Sequence, residues 1–177
     1  SYYHNSIGGY HGAKLERYQE LIENHISKNN MSVLNMLNTK YFIVSPKEGQ
    51  PPMAQMNPEH CGSAWFVPEF KIVANADEES KSLEKFNPRV TAFIDQRFKD
   101  KIGNFKINYD SAATIQLTKY DANYLVYKSK CATDQLCVMS EIYYEKGWNA
   151  YVDGKLTPHW RCNYVLRSMI VPAGNHT

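Results

Sequence analysis

The sequence has no long hydrophobic run, few cysteines and no initiator methionine. No apolar stretch among its 177 residues approaches the roughly 20 that a membrane-spanning helix needs. The chain opens with Ser1, Tyr2 and Tyr3, and no signal peptide is visible. Its four cysteines form no CxxC pair, and no histidine stands at zinc-finger spacing from them. We therefore expect a soluble piece of a larger protein, without a metal ion or other cofactor.

Motifs that identify common classes of enzyme are also missing. The sequence has no GxSxG, HExxH, Walker loop or GxGxxG. Its formal net charge is +2 and its basic residues are scattered, which argues against a nucleic-acid partner. A glycoside hydrolase would need two converging carboxylates. The candidates are Asp95, Asp110, Glu141 and Asp153. Solvated or turn-forming roles are the simpler interpretation, because nothing in the sequence brings any two of them together.

Aromatic residues are abundant: 13 Tyr, 7 Phe and 3 Trp. Such residues favour β-strands and fill sheet cores. The alternative is sugar binding, in which an aromatic ring stacks on the face of a pyranose. Both interpretations remain open at the level of sequence.

The first hundred residues mix helices with short strands. Apolar residues recur on one face of a helix at positions 15, 18, 22 and 26. Asn30 is placed to cap a second short helix, and Asn75 a third that runs to about Phe86. The apolar run 41–44 is typical of a buried strand, and a long proline-rich connection follows it at 45–62.

From about residue 103 the hydrophobic pattern changes to period two. Strands are predicted at 114–120, 124–129, 137–144, 148–152 and 164–171. The pair Asp153-Gly154 predicts a tight hairpin turn, and Trp148 is expected in the core. The predicted fold class is α+β. An α+β subdomain (1–102), with N-terminal helices and short strands, precedes an antiparallel β-sandwich-like subdomain (103–177).

Several residues are candidates for contact with a ligand or partner. Four of them stand close together in sequence at the start of the first helix, where they can bind an anionic group: Tyr10, His11, Lys14 and Arg17. A solvated helix start is the simpler alternative. Trp65 lies beside the long connection and is a further candidate for such contact.

Two cysteines are placed to form a disulfide. Cys131 and Cys137 flank five residues between two strands that can pair as a hairpin. An oxidising compartment would permit the bond. Two free thiols are the alternative, and the spacing does not decide between them.

Three stretches of the sequence are similar to one known family. They are IGGYH with AKL and RYQ (7–11, 13–15, 17–19), LNMLNTKYFI with GSAWFV (34–43, 62–67), and EIYYEKGW with AYVDG, NYVLR and PAGNH (141–148, 150–154, 163–167, 172–176). The chain resembles the soluble C-terminal region of YfhO-type bacterial membrane proteins, especially the Bacteroidetes branch. The match spans nearly the whole chain, and the third stretch is the most specific.

That family is similar to GT-C glycosyltransferases, which transfer sugar from a lipid-phosphate carrier to an envelope acceptor. The resemblance implies a location on the extracytoplasmic, periplasmic face and a membrane anchor in the full-length protein. It implies as partners the remainder of that protein and an envelope glycan or lipid-linked sugar. The catalytic acid of such enzymes lies in an early loop without counterpart here, so no catalytic residue is carried over.

The expected function is therefore non-catalytic. The chain would bind an acceptor for the membrane-embedded transferase site, or brace the loops around that site. The alternative is a stand-alone carbohydrate-binding or cell-envelope structural module with no role in glycosyl transfer. A stand-alone glycoside hydrolase is a third hypothesis.

Overall fold

The chain has an α+β fold, seen in a computed structural model that describes residues 6–8, 15–45 and 49–177. The helices within these residues are short. Helix α1 (Glu16–Leu21) continues into a π-helical turn (Ile22–Ile26), and α2 (Met31–Met36) follows. Helix α3 (Ala76–Ser82) lies in the middle of the chain, and a 3-10 turn (Gln96–Phe98) leads into α4 (Lys99–Ile102).

A four-stranded antiparallel sheet forms the middle layer. Its strands are β3 (Ala64–Val67), β8 (Gln135–Ile142), β11 (Trp160–Cys162) and β12 (Leu166–Val171), in the order β11-β12-β8-β3. The first five residues of β8 are all buried, because the sheet is covered on both faces there.

A three-stranded antiparallel sheet covers one face of the central sheet. It consists of β6 (Thr114–Asp121), β7 (Tyr124–Cys131) and β13 (Gly174–His176), with β7 in the middle. The buried residues between the two sheets are Phe66, Cys131, Cys137, Met139, Met169 and Val171. This packing confirms the sandwich-like arrangement predicted from the period-two pattern.

Helices and a parallel strand pair cover the other face. The pair is β4 (Glu69–Val73) and β5 (Thr91–Asp95), joined through α3. The larger core lies between these elements and the central sheet. Its members include Leu21, Val33, Met36, Trp65, Leu83, Ile94, Val138, Trp160 and Leu166. The molecule thus has three layers, with its two hydrophobic cores on opposite faces of one sheet.

The two helix caps and the hairpin turn predicted from local sequence patterns are present in the structure. The Asn30 side chain accepts a hydrogen bond from the Val33 amide at 3.3 Å, and Asn75 accepts one from Glu78 at 3.0 Å. The hairpin of β9 (Ala150–Val152) and β10 (Lys155–Thr157) turns at two residues with positive φ, 49° at Asp153 and 78° at Gly154.

The apolar run 41–44 is not buried, contrary to the prediction. It forms β1 (Tyr41–Val44), which within the described residues pairs only with β2 (Met53–Met56), in a two-stranded sheet outside both cores. An apolar run indicates a strand, but only its tertiary neighbours decide whether that strand is covered.

For Cys131 and Cys137, the structure has the second of the two alternatives that the sequence left open. Cys131 and Cys137 are free buried thiols, as are Cys61 and Cys162. The expected hairpin does not form, because β7 pairs with β6 and β13 whereas β8 pairs with β12 and β3. The two cysteines therefore belong to strands of different sheets.

The predicted boundary between two subdomains after residue 102 stays a prediction, and the two parts of the chain share a core. Strand β3 comes from the first part of the chain and pairs with β8 from the second. The larger core also takes residues from both parts. Trp148, expected in the core, is half-buried and precedes β9.

Candidate functional site

The structure describes two of the five binding residues predicted from sequence, Arg17 and Trp65. Tyr10, His11 and Lys14 lie outside the described residues, so their role stays a prediction. Arg17 lies in α1 and takes part in a charged cluster. Trp65 is only 6% exposed, and its indole N–H donates to the Pro88 carbonyl at 2.7 Å. The proposed ligand contact of Trp65 is therefore corrected: the ring belongs to the core.

The charged cluster is centred on Glu79, whose side chain is fully buried. Arg17 Nη1 lies 3.6 Å and Arg161 Nε 3.7 Å from Glu79 Oε2. Arg161 Nη2 is also 3.7 Å from Asp95 Oδ2, and Arg97 Nε is 2.9 Å from the same oxygen. The cluster thus joins α1, α3, β5 and β11 through charges that are far apart in sequence.

Burial dominates the titration of the cluster. It raises the pKa of Glu79 to about 7, even though Arg161 and Arg17 favour the carboxylate. Burial also lowers the pKa of Arg161, and the nearby Glu79 opposes that change. Glu79 and Asp95 both face Arg161, but their side chains are only 0% and 3% exposed. A substrate cannot reach these carboxylates in this conformation. The role of the cluster is therefore to connect helices and strands inside the fold.

Tyr164 connects the same cluster to the first helix. The Arg17 guanidinium lies 4.6 Å from the centroid of its ring, and its hydroxyl donates to Glu20. Tyr164 has a φ of 72°, a conformation that is rare for a bulky residue and normally has an identifiable cause. Here its neighbour Asn163 exchanges two hydrogen bonds with the backbone of Phe93, which fixes the turn between β11 and β12.

Strands β1 and β2 form an exposed surface that we call the apolar ribbon (41–44 and 53–56). One of its faces carries Tyr41, Ile43, Ala54 and Met56, and the other Phe42, Val44, Met53 and Gln55. No residue of the ribbon is charged. Ile43 is 72% exposed and Met53 58%. Isolated exposed apolar residues are common, but a contiguous group such as this marks an interaction surface.

A second surface is a cleft of about 300 Å³, which we call the aromatic cleft. Its lining includes Lys101, Tyr143, Glu145, Trp148, Asn149 and His159. These residues come from α4 and from the connections on either side of the β9–β10 hairpin. Sequence reasoning missed the cleft, although part of it falls in the stretch EIYYEKGW that carries the most specific resemblance.

A third surface is the outer face of the three-stranded sheet. A cleft of about 330 Å³ there is lined by polar residues that include Gln116, Lys128, Lys130 and Asn175. Its polar lining suits a sheet face in contact with water. Among the described residues, no Tyr, Phe or Trp ring lines it, which distinguishes it from the aromatic cleft.

The described residues offer neither a metal site nor an activated thiol. They contain no group of three or more His, Cys, Asp or Glu side chains able to hold a metal ion. Burial raises the pKa of Cys61 to about 11 and that of Cys137 to about 12, so neither thiol is an activated nucleophile. None of the described helices combines the length and apolar character required to span a membrane.

Comparison with known proteins gives no relative from which a function can be transferred. No family model, no curated protein and no solved structure matches this chain. The three surfaces and the sequence resemblance are therefore the basis for inferring a function.

Proposed function

We propose that this chain is a non-catalytic, extracytoplasmic docking domain of a polytopic membrane protein that resembles lipid-linked-sugar glycosyltransferases. The apolar ribbon is the surface that packs against the remainder of that protein and braces its membrane-embedded site. The observation that carries the proposal is the exposure of uncharged, apolar side chains on both faces of β1 and β2.

The apolar side chains on both faces of the ribbon favour a partner that encloses it. A flat partner would cover one face and leave the other in water, where Phe42 and Val44 or Tyr41 and Ile43 would remain exposed. A groove between elements of a larger protein can cover both. No other described strand pairs with the two outer edges, so a further strand can add to them.

The sequence between the two strands argues against direct insertion into lipid. It contains the charged residues Lys47 and Glu48. If this connection entered the bilayer, each charge would cost on the order of several kcal/mol in hydrocarbon. A protein groove around the two strands does not require that cost, so the remainder of the parent protein is the occupant we favour.

Photo-cross-linking in the full-length protein tests this proposal. The full-length protein is produced in cell membranes with the photo-cross-linking residue p-benzoylphenylalanine at position 43. The control variant carries the same residue at position 120. Ile43 and Tyr120 are both exposed, but Tyr120 lies on β6, far from the ribbon in the sheet topology. We expect an intramolecular cross-link from position 43 to a membrane-embedded segment, and none from position 120.

Two results would overturn the proposal. One is equal or absent cross-linking at the two positions. The other is a full reading frame without membrane-spanning helices, which would favour the alternative of a stand-alone carbohydrate-binding or envelope module.

A further inference from the structure

The aromatic cleft has unused hydrogen-bonding groups beside an aromatic ring. Hydrogen bonds on its wall are made by Lys101 and Thr157 to backbone carbonyls and by His159 to the Trp148 carbonyl. Within the described residues, no such bond engages the Tyr143 hydroxyl, the Glu145 carboxylate or the Asn149 amide. These three groups supply donors and acceptors that an incoming ligand can pair.

The aromatic wall of the cleft is held in place from inside the molecule. The Arg167 guanidinium lies 4.5 Å from the centroid of the Trp148 ring, and Arg167 is only 5% exposed. His159 Nε2 is 3.1 Å from the Trp148 carbonyl oxygen. The Tyr143 ring packs edge-on against Phe98 at 5.9 Å. A wall fixed in this way loses little side-chain freedom when a ligand binds.

The composition of the cleft selects the class of ligand. An indole and a phenol offer apolar contact, and the hydroxyl, carboxylate and amide groups offer several hydrogen bonds at its edge. Lys101 and Glu145 carry opposite charges, so the lining gives no net preference for an anion or a cation. A volume of about 300 Å³ is at the small end of ligand sites.

We propose that the aromatic cleft binds one or two pyranose rings of a neutral saccharide. A pyranose has an apolar face of C–H groups and a rim of hydroxyls, which match the Trp148 ring and the unused groups of Tyr143, Glu145 and Asn149. The proposal is independent of the docking function of the ribbon, because the two surfaces share no residue. A free glycan and a lipid-linked sugar offer the same pyranose chemistry.

Titration of the complete chain with defined sugars tests the proposal. The probes are glucose, galactose, mannose, N-acetylglucosamine, maltose and cellobiose, each added to about 20 mM so that millimolar affinity is detected. The readout is the NMR signal of each tryptophan indole N–H. We expect at least one probe to shift the Trp148 signal and to leave the signals of buried Trp65 and Trp160 unchanged.

The affinities of three variants then distinguish binding in the aromatic cleft from nonspecific binding elsewhere. Asn149→Ala and Tyr143→Phe each remove one hydrogen-bonding group and should weaken binding by a factor of about 5. Tyr120→Ala removes an exposed ring elsewhere and should leave the affinity unchanged. Attachment of the best sugar to a lipid phosphate should not strengthen binding if the free glycan is the ligand. A lack of any shift at Trp148, or equal affinity in all three variants, would overturn the proposal.

Discussion

At the scale of single residues, one main feature of the structure is a cluster of charged side chains inside it. Glu79 has no solvent-exposed surface, yet two guanidinium groups from different elements lie within 4 Å of its carboxylate. A buried ion pair of this kind often stabilises a fold no better than apolar packing does, but it is costly to break. Its clearest consequence is a dependence of stability on pH.

The buried Glu79 carboxyl should make the protein less stable as pH rises through the weakly acidic range. Its pKa is raised from 4.5 to about 7 by burial, so the folded state holds this proton more tightly than the unfolded state. Its contribution is fully present below about pH 4.5 and is lost as pH rises towards 7. The shift corresponds to about 3 kcal/mol at most.

Urea unfolding of the wild type and Glu79→Gln at a series of pH values measures this effect. The difference in free energy of unfolding between the two proteins should change between pH 4.5 and 7 and level off above that range. Glu59→Gln, at an exposed position, should keep the wild-type profile. Identical pH profiles for the wild type and Glu79→Gln would contradict the prediction.

At the scale of elements, the two predicted helix caps differ in the other hydrogen bonds that their side chains make. Asn75 caps α3 from an exposed position. Asn30 caps α2 and also donates through Nδ2 to the Leu83 carbonyl at 2.8 Å, which ties α2 to the end of α3. Asn75 therefore stabilises only the helix that it caps, whereas Asn30 also joins two helices.

Replacing each cap by alanine should reveal this difference. Asn75→Ala should lower the free energy of unfolding by about 1 kcal/mol, which is typical for the loss of a cap. Asn30→Ala should cost about 2 kcal/mol because it also leaves the partly buried Leu83 carbonyl without that donor. Chemical denaturation of the two variants measures both values. Equal losses would show that the bond to Leu83 contributes little.

At the scale of the whole molecule, the shared central sheet makes the two parts of the chain interdependent. Residues 103–177 provide three of its strands, and residues 64–67 provide the fourth. The main core lies against this sheet and is built from both parts.

The chain should therefore unfold in one cooperative transition. Tryptophan fluorescence and far-ultraviolet circular dichroism should give the same midpoint in urea. A fragment of residues 103–177 alone should lack that transition, because its sheet loses β3 and its core loses Val67 and Ile94. Two separated transitions in the complete chain, or a cooperatively folded fragment, would contradict this prediction.

Sequence alone determined the features that depend on near neighbours in the chain. Asn30 and Asn75 could be identified as caps because each bonds an amide three residues away. The turn at Asp153-Gly154 and the strands after residue 103 were likewise local patterns. The class of fold followed from them.

Tertiary structure alone decided which of these features are covered and which side chains meet. Tyr41–Val44 has the composition of a buried strand, but the strand stays largely exposed among the residues that the structure describes. Arg17 meets Glu79 only because α1 packs beside α3, and the aromatic cleft forms where α4 approaches the β9–β10 hairpin. Burial and convergence depend on partners many residues away. The periodicity of one segment contains no information on those partners, which is why the apolar ribbon and the aromatic cleft appeared only in the folded chain.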